Sequence, residues 1–227
     1  TITTNDGVII NADEFEYDKI KNVLKAKGNI TINDEANNYI INSENILYLR
    51  DQEKIQIKGK SSSLIFSNYN FKSEDIIILR NKLILEANKP TVIIDKKNQT
   101  LYEIDKLSYS IEDEVLKGEK IFINTKFNQP FSDNYFFKNA IFNLKDQSYI
   151  AKDIDINLKK DIFGNKKNDP RFKGISSSSK NGITTIDKGI FTSCKKSDKC
   201  PPWSVQAEKI TYDQNKKQVL YDSALIK

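Results

Sequence analysis

The chain has 227 residues, of which 38% are apolar, and its 36 basic and 31 acidic side chains give a formal charge of +5. It contains no histidine, which removes the commonest general base and the commonest metal ligand. The lysines are scattered among the acidic residues instead of forming a basic stripe, so the composition indicates a solvated surface and gives no support for nucleic-acid binding. No run of eighteen apolar residues and no apolar core of a secretion signal occurs, so we expect any leader or anchor to lie outside this segment.

A degenerate unit of about 31 residues recurs along the chain. Its apolar and small side chains step by two, then by three, then by two, which is strand alternation broken once by a bulge or bend. The first copy contains Ile10, Ala12, Phe15, Tyr17, Leu24 and Ala26, and later copies begin at Ile41, Phe71, Tyr102, Phe136 and Val205. The repeat predicts strand, short turn, strand.

Polar turn formers fill the gap between the two strands of several copies. They lie at Asp18 to Asn22, Asp51 to Lys54, Glu112 to Glu114 and Asp213 to Lys217. No window has the i, i+3, i+4, i+7 apolar pattern of a helix. We therefore predict an all-β chain, folded over residues 1–227 as one elongated antiparallel domain of two narrow facing sheets.

Residues 159–188 interrupt the repeat. This stretch is rich in Gly, Asn, Ser and Lys, and it contains Pro170 where a central strand would not tolerate proline. It is predicted to be a surface excursion, and excursions of this length usually bind or connect something.

Both cysteines, Cys194 and Cys200, lie in a loop at residues 194–202, just before Trp203. A zinc site would need two further Cys or His ligands, which the chain lacks, so no metal is expected. The residues leave three states open: a disulfide between the two, disulfides to cysteines outside the segment, or two free thiols.

Several segments resemble known lipopolysaccharide-transport proteins. IINADEFEYD at Ile9 to Asp18 and KAKGNITI at Lys25 to Ile32 resemble the OstA-like β-jellyroll of that periplasmic system. FTSC, the following CPPWSVQAEKITYD, YDSA at Tyr221 to Ala224 and NDPRFKGISS at Asn168 to Ser177 are similar to the outer-membrane assembly family, LptD. Two features of that family have no counterpart here, its large transmembrane barrel and a cysteine near the mature N-terminus.

The resemblance implies a jellyroll that is open along one side and holds acyl chains in an apolar groove. We expect the following side chains to be candidates for the groove: Phe15, Tyr17, Leu24, Ile46, Tyr48, Ile55, Ile76, Ile78, Leu85, Leu107, Tyr109 and Leu116. Ordinary core packing is the competing interpretation for each of them. The phosphorylated headgroup would remain in solvent, where lysines could pair with it.

The resemblance also implies partners and a location. The domain would lie on the periplasmic side of the outer membrane of a Gram-negative bacterium and receive lipopolysaccharide from a shuttle of the same fold. We expect the shuttle to pair with an edge strand formed by Gly7, Val8, Ile9, Ile10, Asn11 and Ala12. The further partners implied are the C-terminal barrel, to which Cys194 would be disulfide-bonded, and the plug lipoprotein of that barrel.

Two alternatives to the assembly component remain. One is the soluble periplasmic shuttle itself, against which the segment from Cys194 to Trp203 argues. The other is a carbohydrate-active β-helix enzyme that uses carboxylates, but no acidic pair stands out in an apolar setting. We expect no enzymatic activity and no cofactor.

Overall fold

The computed structural model describes residues 1–4, 7–65, 68–129, 132–197 and 202–227. Apart from two single turns of 3₁₀ helix, Arg50–Gln52 and Arg80–Lys82, the regular structure in these residues is antiparallel β-strand. The predicted all-β antiparallel fold is confirmed. No helix within the described ranges is long and apolar enough to cross a membrane.

The chain divides into two compact units, Thr1–Glu114 and Val115–Lys227, where the sequence predicted one domain. The strands of the first unit are β1 Ile2–Thr3, β2 Ile9–Asn11, β3 Glu14–Asp18, β4 Val23–Asp34, β5 Tyr39–Leu49, β6 Lys54–Ile65, β7 Tyr69–Leu79, β8 Ile84–Ala87, β9 Thr91–Asp95 and β10 Thr100–Ser110. The strands of the second unit are β11 Val115–Thr125, β12 Asn134–Asn143, β13 Ser148–Asn157, β14 Arg171–Lys180, β15 Ile183–Thr192, β16 Val205–Asp213 and β17 Gln218–Ile226.

In the first unit, consecutive long strands pair from β4 to β7. The short strands β2 and β3 both pair with β4, and β8 and β9 both pair with β7 and β10. β2 and β3 together therefore take the place of one long strand that is interrupted in the middle, and so do β8 and β9.

The long strands bend at the position where the repeat changes phase. The pairing of β4 with β5 shifts register between Lys27 and Ile30, and Asn29 there takes the left-handed conformation with φ 45°. A bulge of this kind bends a strand. Phe71 and Tyr109 lie on opposite sides of the bend, yet their ring centroids are 5.2 Å apart. The two halves of the bent strands therefore face each other and enclose the core.

The second unit uses the same device. Its strands pair consecutively from β11 to β17. Lys120, Asp153 and Lys188 have φ of 48°, 49° and 47° in the middle of β11, β13 and β15. The rings of Phe172 and Tyr212 meet across the bend at 5.6 Å.

The prediction of a surface excursion over residues 159–188 is wrong for most of that stretch. Within residues 159–188, only 159–170 and the two-residue turn 181–182 lie outside the strands, because β14 and β15 occupy the rest. The small side chains of Ser177 and Thr184 are buried, facing inward. Glycine is required at position 174 because the Ile186 side chain packs against its α-carbon, and a Cβ there would lie 2.4 Å from Cγ2 of Ile186. Pro170 comes just before β14, where its carbonyl accepts a hydrogen bond from Leu158 N–H.

Candidate functional site

Two rows of inward side chains run across seven paired strands of the first unit. The first row is Tyr17, Leu24, Tyr48, Ile55, Ile78, Leu85 and Tyr109, each opposite the next. The second row is Phe15, Ala26, Ile46, Ile57, Ile76, Ala87 and Leu107. Eleven of the twelve groove candidates lie in these rows, so the structure brings them together on one face.

Most of these candidates are interior residues. Leu24, Ile46, Tyr48, Ile55, Ile76, Ile78, Leu85, Leu107 and Tyr109 are all buried, and so is the twelfth candidate, Leu116, in β11 of the second unit. Phe15 is partly buried and Tyr17 is 43% exposed, because both lie on β3, which pairs only with β4 among the described strands. Contact of these side chains with lipid remains a prediction.

The facing half of the bent strands carries a further row that was not among the groove candidates. It consists of Ile10, Ile32, Ile41, Ser63, Phe71, Ile93 and Tyr102, all buried. Ile10, Ile41, Phe71 and Tyr102 begin successive copies of the repeat, and this signal could have identified the row from the sequence.

The interior of the second unit becomes aromatic towards one end. Phe172 and Phe191 pair across β14 and β15, and Tyr212 faces them from beyond the bend. Tyr212 pairs with Thr184 in the row that contains Leu116. Burial raises the pKa of the Tyr212 phenol to about 12, so it stays neutral at physiological pH.

Arg80 forms a mostly buried polar cluster in the first unit. Its Nη1 donates to the Tyr48 hydroxyl and to Oε2 of Glu53, both at 2.8 Å, and its Nη2 lies 4.0 Å from Oδ2 of Asp34. Tyr48 and Asp34 lie on opposite halves of the bent strands. The guanidinium therefore bridges the two halves, and Arg80 was not among the predicted site residues.

The same arrangement occurs one repeat earlier, in exposed form. Nη1 of Arg50 donates to the Tyr17 hydroxyl at 3.1 Å, and that hydroxyl donates to Oδ1 of Asn22 at 2.7 Å. Arg50 and Arg80 are two of the chain's three arginines, and each follows a strand that ends in Leu. This spacing was the available sequence signal for the cluster.

The predicted partner edge, Gly7 to Ala12, contains β2. Ile9 and Ile10 pair with β4 on one side and with Thr3 and Ile2 of β1 on the other. A partner strand could pair here only if β1 moved away. The pairing of a shuttle with this edge remains a prediction.

The backbone around Cys194 is firmly held. Its N–H donates to Oγ1 of Thr192 at 3.2 Å, and its carbonyl accepts from Nη1 of Arg171 at 2.6 Å. The Thr192 hydroxyl in turn donates to the carbonyl of Trp203 at 2.8 Å. Cys194 is a partly exposed free thiol among the described residues. Cys200 lies outside them, so the disulfide pairing remains a prediction.

A polar cleft of about 180 Å³ lies where residues 158–170 meet the strand ends of the second unit. Asp169 joins its walls, because Oδ2 accepts the Lys196 N–H at 2.8 Å and Oδ1 lies 3.2 Å from Nζ of Lys160. The hydrogen bond from Lys196, with the nearby lysine charges, lowers the pKa of the Asp169 carboxyl. Lys159, Asn134 and Asn157 also line the cleft. No group of three His, Cys, Asp or Glu side chains in the described part of the chain could hold a metal.

No protein-family model and no curated protein matches the chain. Among solved structures, it is similar to LptH of Pseudomonas aeruginosa, described as the LptA homologous periplasmic component of the conserved lipopolysaccharide transport device. The TM-score is 0.43 at 11% identity, over 49% of this chain and 81% of that chain. The strands and their antiparallel hydrogen-bonded pairing establish the β architecture independently of this similarity.

Proposed function

We propose that the chain is a periplasmic lipopolysaccharide-transport domain of the OstA-like jellyroll type. Acyl chains would lie against the inward faces of the bent strands while the phosphorylated headgroup remains in water. The observation that carries this proposal is the pair of uninterrupted inward rows across seven strands of the first unit. The proposed domain binds and passes on lipid without catalysing a reaction.

The rows suit an extended lipid because their chemistry hardly changes from strand to strand. Burial of each methylene is worth about 0.8 kcal/mol, so several acyl chains held part-way provide affinity without a single dominant contact. Successive sites of similar affinity also let a ligand leave each position, which transport requires.

Binding of matched ligands tests the proposal. The purified chain is titrated with lipopolysaccharide and with the same material after removal of its acyl chains, and complexes are counted by native mass spectrometry. We expect complexes with the acylated form alone. Equal or stronger binding of the deacylated sugar would contradict the proposal and favour a carbohydrate-active protein.

We further propose that the chain belongs to the outer-membrane assembly component, LptD, and not to the soluble shuttle. The support is the resemblance of the segment from Cys194 to Trp203, together with the hydrogen bonds that fix Cys194 at the surface. A tether from Cys194 to a barrel would fix the orientation of the domain relative to the barrel and its plug lipoprotein. Mass spectrometry of the full-length protein without reduction should find a peptide that links Cys194 to the barrel. A bond only between Cys194 and Cys200 in the active protein would contradict this assignment.

The proposed donor is a periplasmic shuttle that adds a strand at Gly7 to Ala12. Because β1 covers Ile9 and Ile10 in the structure, removal of residues 1–4 should expose that edge and strengthen shuttle binding. Ile10→Pro in the same shortened chain removes a backbone donor and should weaken binding. Unchanged binding by both folded variants, measured by calorimetry, would place the shuttle elsewhere.

A further inference from the structure

Phe163 enters the aromatic interior of the second unit from outside the strands. Its ring lies edge-on to Phe191 at 6.1 Å and to Tyr212 at 6.4 Å, with interplanar angles of 85° and 71°. Phe191 and Tyr212 lie on the two facing halves of the bent strands. The partly buried ring of Phe163 therefore contacts both halves at this end of the unit.

The segment that carries Phe163 has little other attachment. The hydrogen bonds that the structure describes for residues 161–168 close turns within the segment, such as Gly164 N–H to the carbonyl of Asp161 at 2.9 Å. Gly164 has φ +81° and open space around its α-carbon, which permits backbone rotation directly beside Phe163. The segment is fastened mainly at its ends, where Asp169 accepts the Lys196 N–H and Leu158 donates to Pro170.

The neighbouring cleft complements an anionic group. Lys159, Lys160 and Lys196 line it with Asn134 and Asn157, and these three lysines outnumber the one carboxylate of the lining, Asp169, which pairs with Lys160. An amphiphile with an acyl chain and a negatively charged head would find an apolar aromatic site and a lysine-lined cleft on the same segment.

We propose that the position where the Phe163 ring packs on Phe191 and Tyr212 is an acyl-chain site of the second unit, and that an entering chain displaces this ring. This inference rests on the proposed lipid-binding function and adds a specific site to it. Phe163 acts as an internal competitor, so its removal should strengthen binding at this site alone.

Trp203 is the chain's sole tryptophan and provides a local reporter. Its ring lies 6.0 Å from that of Phe191, which Phe163 contacts. Bromine atoms quench tryptophan fluorescence on contact, so dibrominated stearate is the probe. Phe163→Ala should be quenched at a concentration about five- to tenfold lower than the unmodified chain, because the substitution removes two aromatic contacts. Phe136→Ala removes a phenylalanine that is 44% exposed in the same unit, and it should behave like the unmodified chain.

A second variant keeps an aromatic ring at position 163. In a Trp203→Phe chain, Phe163→Trp should fluoresce as a partly buried indole and shift to longer wavelength when unlabelled stearate is added. No shift at a stearate concentration that saturates the chain would overturn the proposed site.

The outcomes separate this site from the general function. Equal quenching of the three chains, or no quenching while lipopolysaccharide still binds, would overturn the Phe163 site and leave the transport proposal standing. If the unmodified chain shows neither quenching by dibrominated stearate nor lipopolysaccharide binding, the Phe163 site and the transport proposal are both overturned.

Discussion

Arg80 joins parts of the first unit that are distant in sequence. Its side chain is 8% exposed, and the Asp34 carboxylate beside it is 2% exposed. A buried charge is tolerated when it is paired and hydrogen-bonded, and loss of one partner leaves the other uncompensated. Because Arg80 contacts both halves of the bent strands, it links them to each other.

Arg80→Ala should lower the free energy of unfolding by about 3 kcal/mol, because Asp34 would remain buried without its nearest cation. Arg50→Ala is the matched control, since it breaks the corresponding hydrogen bond to Tyr17 in an exposed position. That control should cost less than about 1 kcal/mol. Urea unfolding of both variants measures the difference, and equal losses would contradict the bridging role of Arg80.

The bend is the feature of the strand that determines the fold. Lys120, Asp153, Lys188 and Ser223 adopt positive φ in the middle of alternate strands of the second unit. Residues with a Cβ pay about 1–2 kcal/mol for this conformation, and glycine does not. The bends therefore persist because the facing halves pack against each other.

Lys188→Gly should raise the free energy of unfolding by about 0.5–1 kcal/mol, since relief of the left-handed strain exceeds the added freedom of the unfolded chain. Lys209→Gly, at an exposed position of the neighbouring strand β16, should lower it by a similar amount. Opposite signs in parallel urea titrations support the bend at Lys188. A loss of stability in both variants would contradict it.

The repeat predicted the inward rows because alternation along a strand records which face is buried. Phe15, Tyr17 and Leu24 were placed correctly on one face by this pattern alone. The contacts of Arg80 with Asp34, and of Phe163 with Tyr212, depend on how the halves of bent strands face each other. Sequence spacing does not contain that information. Strand β14 was missed because its serines suggested a loop, although small polar side chains fit the crowded interior beside Gly174.

The whole chain contains no histidine, the side chain that usually titrates near neutral pH, but it has many interior tyrosines. Burial raises the pKa of Tyr149 and Tyr212 to about 12, and it raises those of Tyr39 and Tyr109 further. The folded state therefore favours the protonated phenol. The corresponding stability is fully present below about pH 10, the ordinary tyrosine pKa, and is lost as the pH rises through about 12.

Alkaline titration should consequently show tyrosinate absorbance rising together with the loss of near-ultraviolet circular dichroism. Tyr149→Phe removes one buried phenol and should move the unfolding midpoint to higher pH. An unchanged midpoint in this variant would assign the transition to other groups, such as lysines. Complete ionisation of the tyrosines in a chain that keeps its native dichroism would contradict the burial of these phenols.

In the proposed function, acyl chains contact the inward faces of the bent strands. The most direct measurement is photo-crosslinking in living cells of the bacterium that makes the protein, with a photoreactive residue at Tyr48 or Ile78 on the inward face. Leu47 and Ile77 are the controls, because each is adjacent in the same strand and faces outward. We predict lipopolysaccharide adducts at Tyr48 and Ile78 and none at Leu47 and Ile77. Equal labelling of both faces, or no adduct at either inward position in folded protein, would contradict the account.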